Sequence, residues 1–242
     1  MTIGKMKKHK EMLQIPVLRP HLPKTYWMTK SRTLRMLKTY SSVFIKPNHG
    51  SGGNGIIRVK RLGKRYEVRS GSSLKIAKRS SILKAIRSYR KSKHRYLVQK
   101  GLRLGKYHGK IFDIRVYLQK PKHKWMISGM VARVAAPHKF VTNYQKGGHA
   151  KPLRRVLKSL FHHNQSKVDA CYRKIKKLSI VIAKTVNKRH SIHELGVDIA
   201  IDKKGHIWII EANSRPGHML FTQLSDHTMI RTIMKNKRSI GI

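Results

Sequence analysis

Carboxylates are what this sequence most lacks. Nine Asp and Glu stand against 56 Lys and Arg in 242 residues, leaving a formal charge of +47. Cysteine is nearly absent as well: Cys171 stands alone, which rules out an internal disulfide and fits a reducing compartment. No apolar run approaches the roughly 18 residues of a membrane span. The start, MTIGKMKKHKEML, is basic but has no apolar stretch of the kind a secretory signal requires. These absences lead to the expectation of a cytoplasmic protein. Internal repeats and long low-complexity linkers are also missing.

What is present is enough for a fold. Apolar residues make up 39% of the chain, and its length can bury a core in one domain or two closely packed lobes. The positive field attracts polyanions such as nucleic acid, an anionic wall or spore polymer, or an acidic membrane surface, and it opposes compaction. Binding of that origin is non-specific and sensitive to salt, so specific nucleic-acid recognition is not expected from it. Scarcity also makes each acid informative. Asp113, Glu194, Asp198, Asp202 and Glu211 all fall in or beside strand-like runs, where a cation site would be built.

Residues 43–61 read VFIKPNHGSGGNGIIRVKR, and GSGGNG matches the dinucleotide pattern G-x-G-x-x-G. That pattern signals a Rossmann fold only when a strand precedes it and a helix follows. Here Ile56 to Val59 is β-branched and leads to Gly63, so strand, glycine loop and strand make a hairpin. A Walker loop would need Lys and Ser/Thr where Ile56 and Ile57 stand. The HRD and DFG segments of a protein kinase do not occur. Phosphate binding by backbone N–H groups remains open to such a loop, as does a plain glycine turn.

Along the chain, residues 5–14 suit a short basic helix, and Thr29 suits the cap of a helix running to about Tyr40. Residues 73–90 read as a helix from the spacing of Ile82, Ala85, Ile86 and Tyr89. Arg95–Gln99, Ile111–Gln119 and Trp125–Val134 read as strands. Ser166 to Asp169 resembles a capping box opening a long helix, whose stripe includes Val168, Cys171, Ile175, Leu178, Ile182 and Val186. Cys171 is a core residue on this reading. Leu195–Ile201 and His206–Ala212 form a hairpin around DKKG, and a last helix precedes the basic tail. Strands and helices mix without a strict βαβ rhythm, so the fold class is α+β with largely antiparallel sheets.

In that last hairpin Glu211 and Asn213 lie two apart on a strand and share a face. A two- or four-residue turn would put Asp198 opposite Ile209, on the face of Glu211 and Asn213. A three-residue turn would turn it away. With the first register, two carboxylates and an amide oxygen converge, a hard donor set suited to Mg²⁺. Asp202, in the turn itself, reads as structural.

Taken in order, FIKP with Lys46, the GSGGNG loop, YLVQKGL, FDIRVYLQ and GVDIAID…IWIIEANSRPG resemble an ATP-grasp domain, most of all the YheC/YheD family. That family is named for association with the endospore coat. The stretch KKHKEML…LPKT is similar to the family's lead-in. The resemblance spans nearly the whole chain. It implies one ATP-grasp domain over residues 1–242, in which two α+β lobes clasp ATP. About 1–40 would be a helical lead-in, about 41–100 a smaller glycine-loop lobe, and about 101–242 a larger metal-site lobe.

Carried over residue by residue, it implies that Lys46 contacts the phosphates. Gly50, Ser51, Gly52, Gly53, Asn54 and Gly55 form the lid, and Gln99, Lys100, Gly101 and Leu102 line the adenine pocket. Asp198, Glu211 and Asn213 would hold Mg²⁺. Arg115 and Arg133 would act catalytically, facing phosphate or acyl phosphate, with Asp113 orienting Arg115. Asn143 and Gly147–Ala150 would lead toward the substrate. The implied reaction joins a carboxylate to an amine or thiol through an acyl phosphate, with a role in the spore. Many such ligases carry a separate N-terminal substrate domain, and this chain starts almost at the ATP-grasp region. Its expected partners are ATP, an unidentified acid and acceptor, and an anionic polymer or spore component. A noncatalytic nucleotide-binding spore protein and a polyanion-binding module are the alternatives.

Overall fold

The structure is a computed structural model that describes residues 3–50, 52–91, 94–136 and 148–241. The chain forms two compact units, Met1–Lys7 with Pro23–Leu102, and Lys8–Leu22 with Arg103–Ile242. Helix α1 (Lys5–Leu13) is the chain's first element and begins in the first unit.

The first unit is one antiparallel sheet with two helices. Its elements are β1 (Thr25–Trp27), α2 (Lys30–Thr39), β2 (Ser42–Pro47), β3 (Ile57–Leu62), β4 (Arg65–Ser70), β5 (Ser73–Lys78), α3 (Ile82–Arg87) and β6 (Tyr96–Lys100). The strands run in the order β1-β6-β2-β3-β4-β5. One face is apolar. Val43, Ile45, Ile57, Val59, Tyr66, Val68, Tyr96 and Val98 pack there with Met36 and Leu37 of α2 and Ile82 and Ile86 of α3. Thr29 caps α2 as expected, its hydroxyl accepting from the Arg32 N–H. The opposite face carries Phe44 and Lys46, aligned with Gln99 and Leu97 of β6.

The helix expected over 73–90 is shortened to Ile82–Arg87, and its first third is strand β5. The cause is turn chemistry. Ser70 pairs with Ser73 around Gly71, and Leu62 with Arg65 around Gly63. Both glycines hold positive φ, 59° and 56°, as two-residue hairpin turns demand. Helical spacing begins only at Ile82.

The second unit is built on a sheet ordered β10-β9-β8-β11-β12, with β7 also paired to β8. Its elements are β7 (Lys106–Tyr107), β8 (Lys110–Gln119), β9 (Met126–Val134), β10 (His149–Pro152), α4 (Leu153–Leu160), α5 (Gln165–Asn187), β11 (Glu194–Ile201), β12 (Ile207–Asn213) and α6 (Thr228–Ser239). All its pairings are antiparallel. Helix α5 lies against β8, β9 and β11 with Val168, Cys171, Ile175, Leu178, Ile182 and Val186 buried. Cys171 is a core residue, and burial pushes its thiol up to about 11. On the other face, Tyr117, Val131 and Ala150 pack with Phe221, Leu224 and Ile233.

The cap of α5 is not Ser166. Asn164 caps it, accepting from the Lys167 N–H, and Asp169 binds Arg154 at 2.6 Å and Gln165 at 2.8 Å. The helix therefore begins at Gln165, two residues earlier than the box implied. Among the described residues no helix is long and apolar enough to cross a membrane.

Candidate functional site

Each unit carries one cluster of the residues singled out in the sequence. In the first, the glycine stretch joins β2 to β3 with Ile45 opposite Ile57, the strand–loop–strand hairpin that excludes a Rossmann reading. Gly50, Gly52, Gly53 and Gly55 all have positive φ. Asn54 turns with them, while Ser51 lies outside the described residues. The loop's start is anchored. Lys5 Nζ donates to the Gly50 carbonyl at 2.6 Å, Met6 N–H to Asn48 Oδ1 at 3.0 Å, and Asn48 N–H to the Arg95 carbonyl at 2.8 Å.

Lys46 leaves the end of β2 with little exposure, and its Nζ donates to Gln99 Oε1 at 2.6 Å. Gln99 Nε2 in turn donates to Thr25 Oγ1 at 2.9 Å, and that hydroxyl donates to the Pro23 carbonyl. This relay across three strands fixes where the ammonium sits. The Gln99 side chain is thus engaged by Lys46, and Lys100 lies 5.4 Å from the Tyr40 ring. Gly101 presses on Ser42, where an added Cβ would meet the hydroxyl at 2.1 Å. Leu102 ends the unit.

The second cluster lies on β8, β9, β11 and β12. Asp198 pairs directly with Glu211 and with Arg115 of β8, while Asn213 lies opposite Gly196. Residues directly opposite share a face, so Asp198, Glu211 and Asn213 lie on one face of the sheet. The route differs from the expected turn. Ile201 pairs with Ile207, a parity that would have set Asp198 opposite Ile210. A register shift between Asp198 and Ile199 restores the pairing with Glu211.

Two guanidinium groups hold Asp198. Arg115 Nε donates to Oδ1 at 2.6 Å and its second nitrogen to Oδ2 at 3.1 Å; Arg133 reaches Oδ1 at 3.0 Å. Arg133 is itself gripped by Asp113 through two 2.6 Å bonds. Asp113's fork partner is therefore Arg133, and Arg115's is Asp198. Burial opposes the Asp198 charge, but Arg115 and Arg133 outweigh it and hold the carboxyl below the usual range. Burial likewise opposes charge on Arg133, and Asp113 and Asp198 overcome it.

Among the described residues, no three His, Cys, Asp or Glu side chains group as a metal site. The donor set here is instead two carboxylates and one amide, the kind Mg²⁺ takes when water and phosphate supply the rest. Asp198 Oδ2 accepts from Arg115 at 3.1 Å and has Asn213 Nδ2 at a long 3.4 Å, so an ion there would share it with a guanidinium. The residues fit the ion in type and in face.

Several contributors had no legible sequence signal. At Gly196 an added Cβ would meet Pro216 at 2.6 Å and an Arg115 nitrogen at 3.0 Å, so glycine lets both close in. Tyr117 donates to Glu194 at 2.7 Å, with the Pro216 carbonyl 3.3 Å away, and Lys237 pairs with Glu194 at 3.0 Å. Glu194 is thereby a brace for the segment after Asn213. Asp202 is structural, accepting from Lys204, His206 and Trp208. His149 and Ala150 lie on β10, whereas Asn143 and Gly147 are outside the described residues.

Comparison with known proteins gives this geometry its context. The family model described as YheC/D like ATP-grasp matches residues 1–239. The endospore coat-associated protein YheD of Bacillus subtilis (strain 168) is 28% identical over 236 residues, covering 90% of this chain and 49% of that protein. The chain thus spans about half the length of this relative. Among solved structures, D-alanyl-alanine synthetase A from Vibrio cholerae is similar with a TM-score of 0.56 and 15% identity, over 99% of this chain and 65% of that one. N5-carboxyaminoimidazole synthetase from Staphylococcus aureus, complexed with ADP, is similar with a TM-score of 0.55 and 8% identity, over 89% and 46%. At such identities the structural likeness establishes the fold.

Proposed function

The chain belongs to the YheC/D-like ATP-grasp family, and from that membership we propose that it binds ATP with magnesium and ligates a carboxylate to an amine or thiol. The observation that carries this reading is the face shared by Asp198, Glu211 and Asn213, with Arg115 and Arg133 against Asp198. In the proposed reaction a carboxylate oxygen attacks the γ-phosphorus and ADP leaves. The amine or thiol then takes the acyl carbon and phosphate departs.

Asp198, Glu211 and Asn213 would hold the ion, which when bound neutralises charge on the phosphate oxygens. Lys46, held in place by Gln99, would offer a fixed positive charge to the phosphates. The glycine loop would offer backbone N–H groups and keep water from a reactive acyl phosphate. Arg115 and Arg133 would stabilise the transferred group with guanidinium planes already set by Asp198 and Asp113. No nucleophilic side chain is needed.

The test is calorimetric titration of ATP with and without magnesium, on the native chain and on Lys46→Ala and Glu211→Ala. Each variant should lose at least tenfold in affinity. Native affinity in both would sink the site. A screen for ADP release over acids and amines, spore-wall precursors included, then tests turnover. A second reading, a nucleotide-binding spore protein without turnover, draws on the name of the relative YheD and on the arginines engaging both Asp198 oxygens. Magnesium-dependent binding without ADP release would favour it.

A further inference from the structure

The first unit holds a second concentration of positive charge that the ligase reading does not use. A cavity of about 390 Å³ opens where β1 ends, α2 begins and β6 starts. Trp27, Thr29, Arg32, Arg90, His94 and Arg95 line it, and among the described residues Lys46, Gln99 and those of the glycine loop are not in its walls. That volume falls within the range of small-molecule sites.

Two of its three arginines are held by aromatic rings and not by acids. The Arg95 guanidinium lies 4.0 Å from the Trp27 ring centroid, and that of Arg90 lies 4.8 Å from the centroid of Tyr96. Stacking on aromatic faces orients both planes while leaving their edge N–H groups to other partners. Arg90 Nε is buried and has no hydrogen-bond partner among the described residues, a donor that lacks an acceptor. Glu67 is the one carboxylate in this unit's sequence. It is engaged by Arg58 at 2.5 Å, with Arg69 3.9 Å away. The start of α2 adds the positive end of a helix dipole.

A solvated cationic surface would leave long side chains free. Here three arginines line one cavity; Arg95, though exposed, is stacked on Trp27, and Arg90 is stacked on Tyr96 with its Nε desolvated. Carboxylate is a poorer match than phosphate, because three arginine side chains carry more N–H donors than two oxygens accept. We infer that this cavity is a phosphate-binding site, separate from the Lys46 and glycine-loop cluster.

The test is calorimetric titration of the full chain with inorganic phosphate and with glycerol phosphate, at constant physiological ionic strength. The two arms distinguish free phosphate from a phosphate monoester. Saturable binding of either is expected, at least tenfold weaker in Arg90→Gln and in Arg95→Gln. Lys176→Gln, on α5 in the other unit, should bind as the native chain does, and Lys46→Ala should keep the binding that Arg90→Gln and Arg95→Gln weaken, whatever phosphate it no longer takes at the nucleotide cluster. Circular dichroism checks folding, and Arg32→Gln carries the same expectation should a stacked variant not fold. No saturable binding at millimolar phosphate overturns the site. Equal weakening in Lys176→Gln would reduce it to the general field, and loss of that same binding in Lys46→Ala would merge it with the nucleotide cluster; either also overturns it. Because Lys46→Ala and Arg95→Gln are read separately, failure here leaves the ligase reading untouched.

Discussion

Asp198 stays charged in the interior because two guanidinium ions outweigh the desolvation of its carboxylate. A folded-state value below the unfolded one makes this group stabilising above the unfolded pKa, about 3.9. That contribution is lost as the pH falls through the lower folded value. Urea unfolding followed from pH 7 downward should therefore show stability falling off in acid. In Asp198→Asn the acid limb should be shallower, and stability at pH 7 lower by about 3–5 kcal/mol, because Arg115 and Arg133 would be left buried without that counter-charge. An unchanged acid limb would mean that Asp198 does not titrate between the folded and unfolded states. At this scale the sequence was informative where residue types were rare. With nine acids in the chain, those inside apolar strands stood out. Which arginine each would take was not legible, since Asp113 holds Arg133 across β8 and β9 and not its near neighbour in sequence.

Elements were read well where one periodicity ran through them and poorly where local competitors were close. The stripe of α5 is buried as its spacing predicts, yet its start was displaced by two residues. Asn164 and Ser166 both suit a cap, and the choice fell to the residue whose side chain reaches the Lys167 N–H, at 2.9 Å. Thermal or urea unfolding should accordingly find Asn164→Ala destabilising by about 1 kcal/mol. Ser166→Ala should stay within about 0.5 kcal/mol of the native chain. The reverse ranking would reinstate the capping box. Strand β5 was hidden by the same kind of competition, since its exposed Leu74 and Ile76 give no alternation of buried and polar positions to read.

The whole molecule carries +47, and a compact state concentrates that repulsion. Raising ionic strength shortens the Debye length from about 30 Å at 0.01 M to about 10 Å at 0.1 M. The urea midpoint should rise over that interval, opposite to what a fold held by surface ion pairs would show. A falling midpoint would mean that attraction outweighs the net repulsion. Retention on an anionic matrix should weaken over the same range, the signature of the chain's general affinity for polyanions.

The sequence by itself determined the antiparallel α+β class, the glycine hairpin and the family, because these rest on order, on composition and on residues whose backbone preferences are local. Tertiary structure alone decided which charges meet. The irregular register that sets Asp198 opposite Glu211, the space Gly196 leaves for Arg115 and the stacking of Arg95 on Trp27 join residues far apart in the chain. No local preference encodes such contacts; they arise when strands choose their register and the core closes around it.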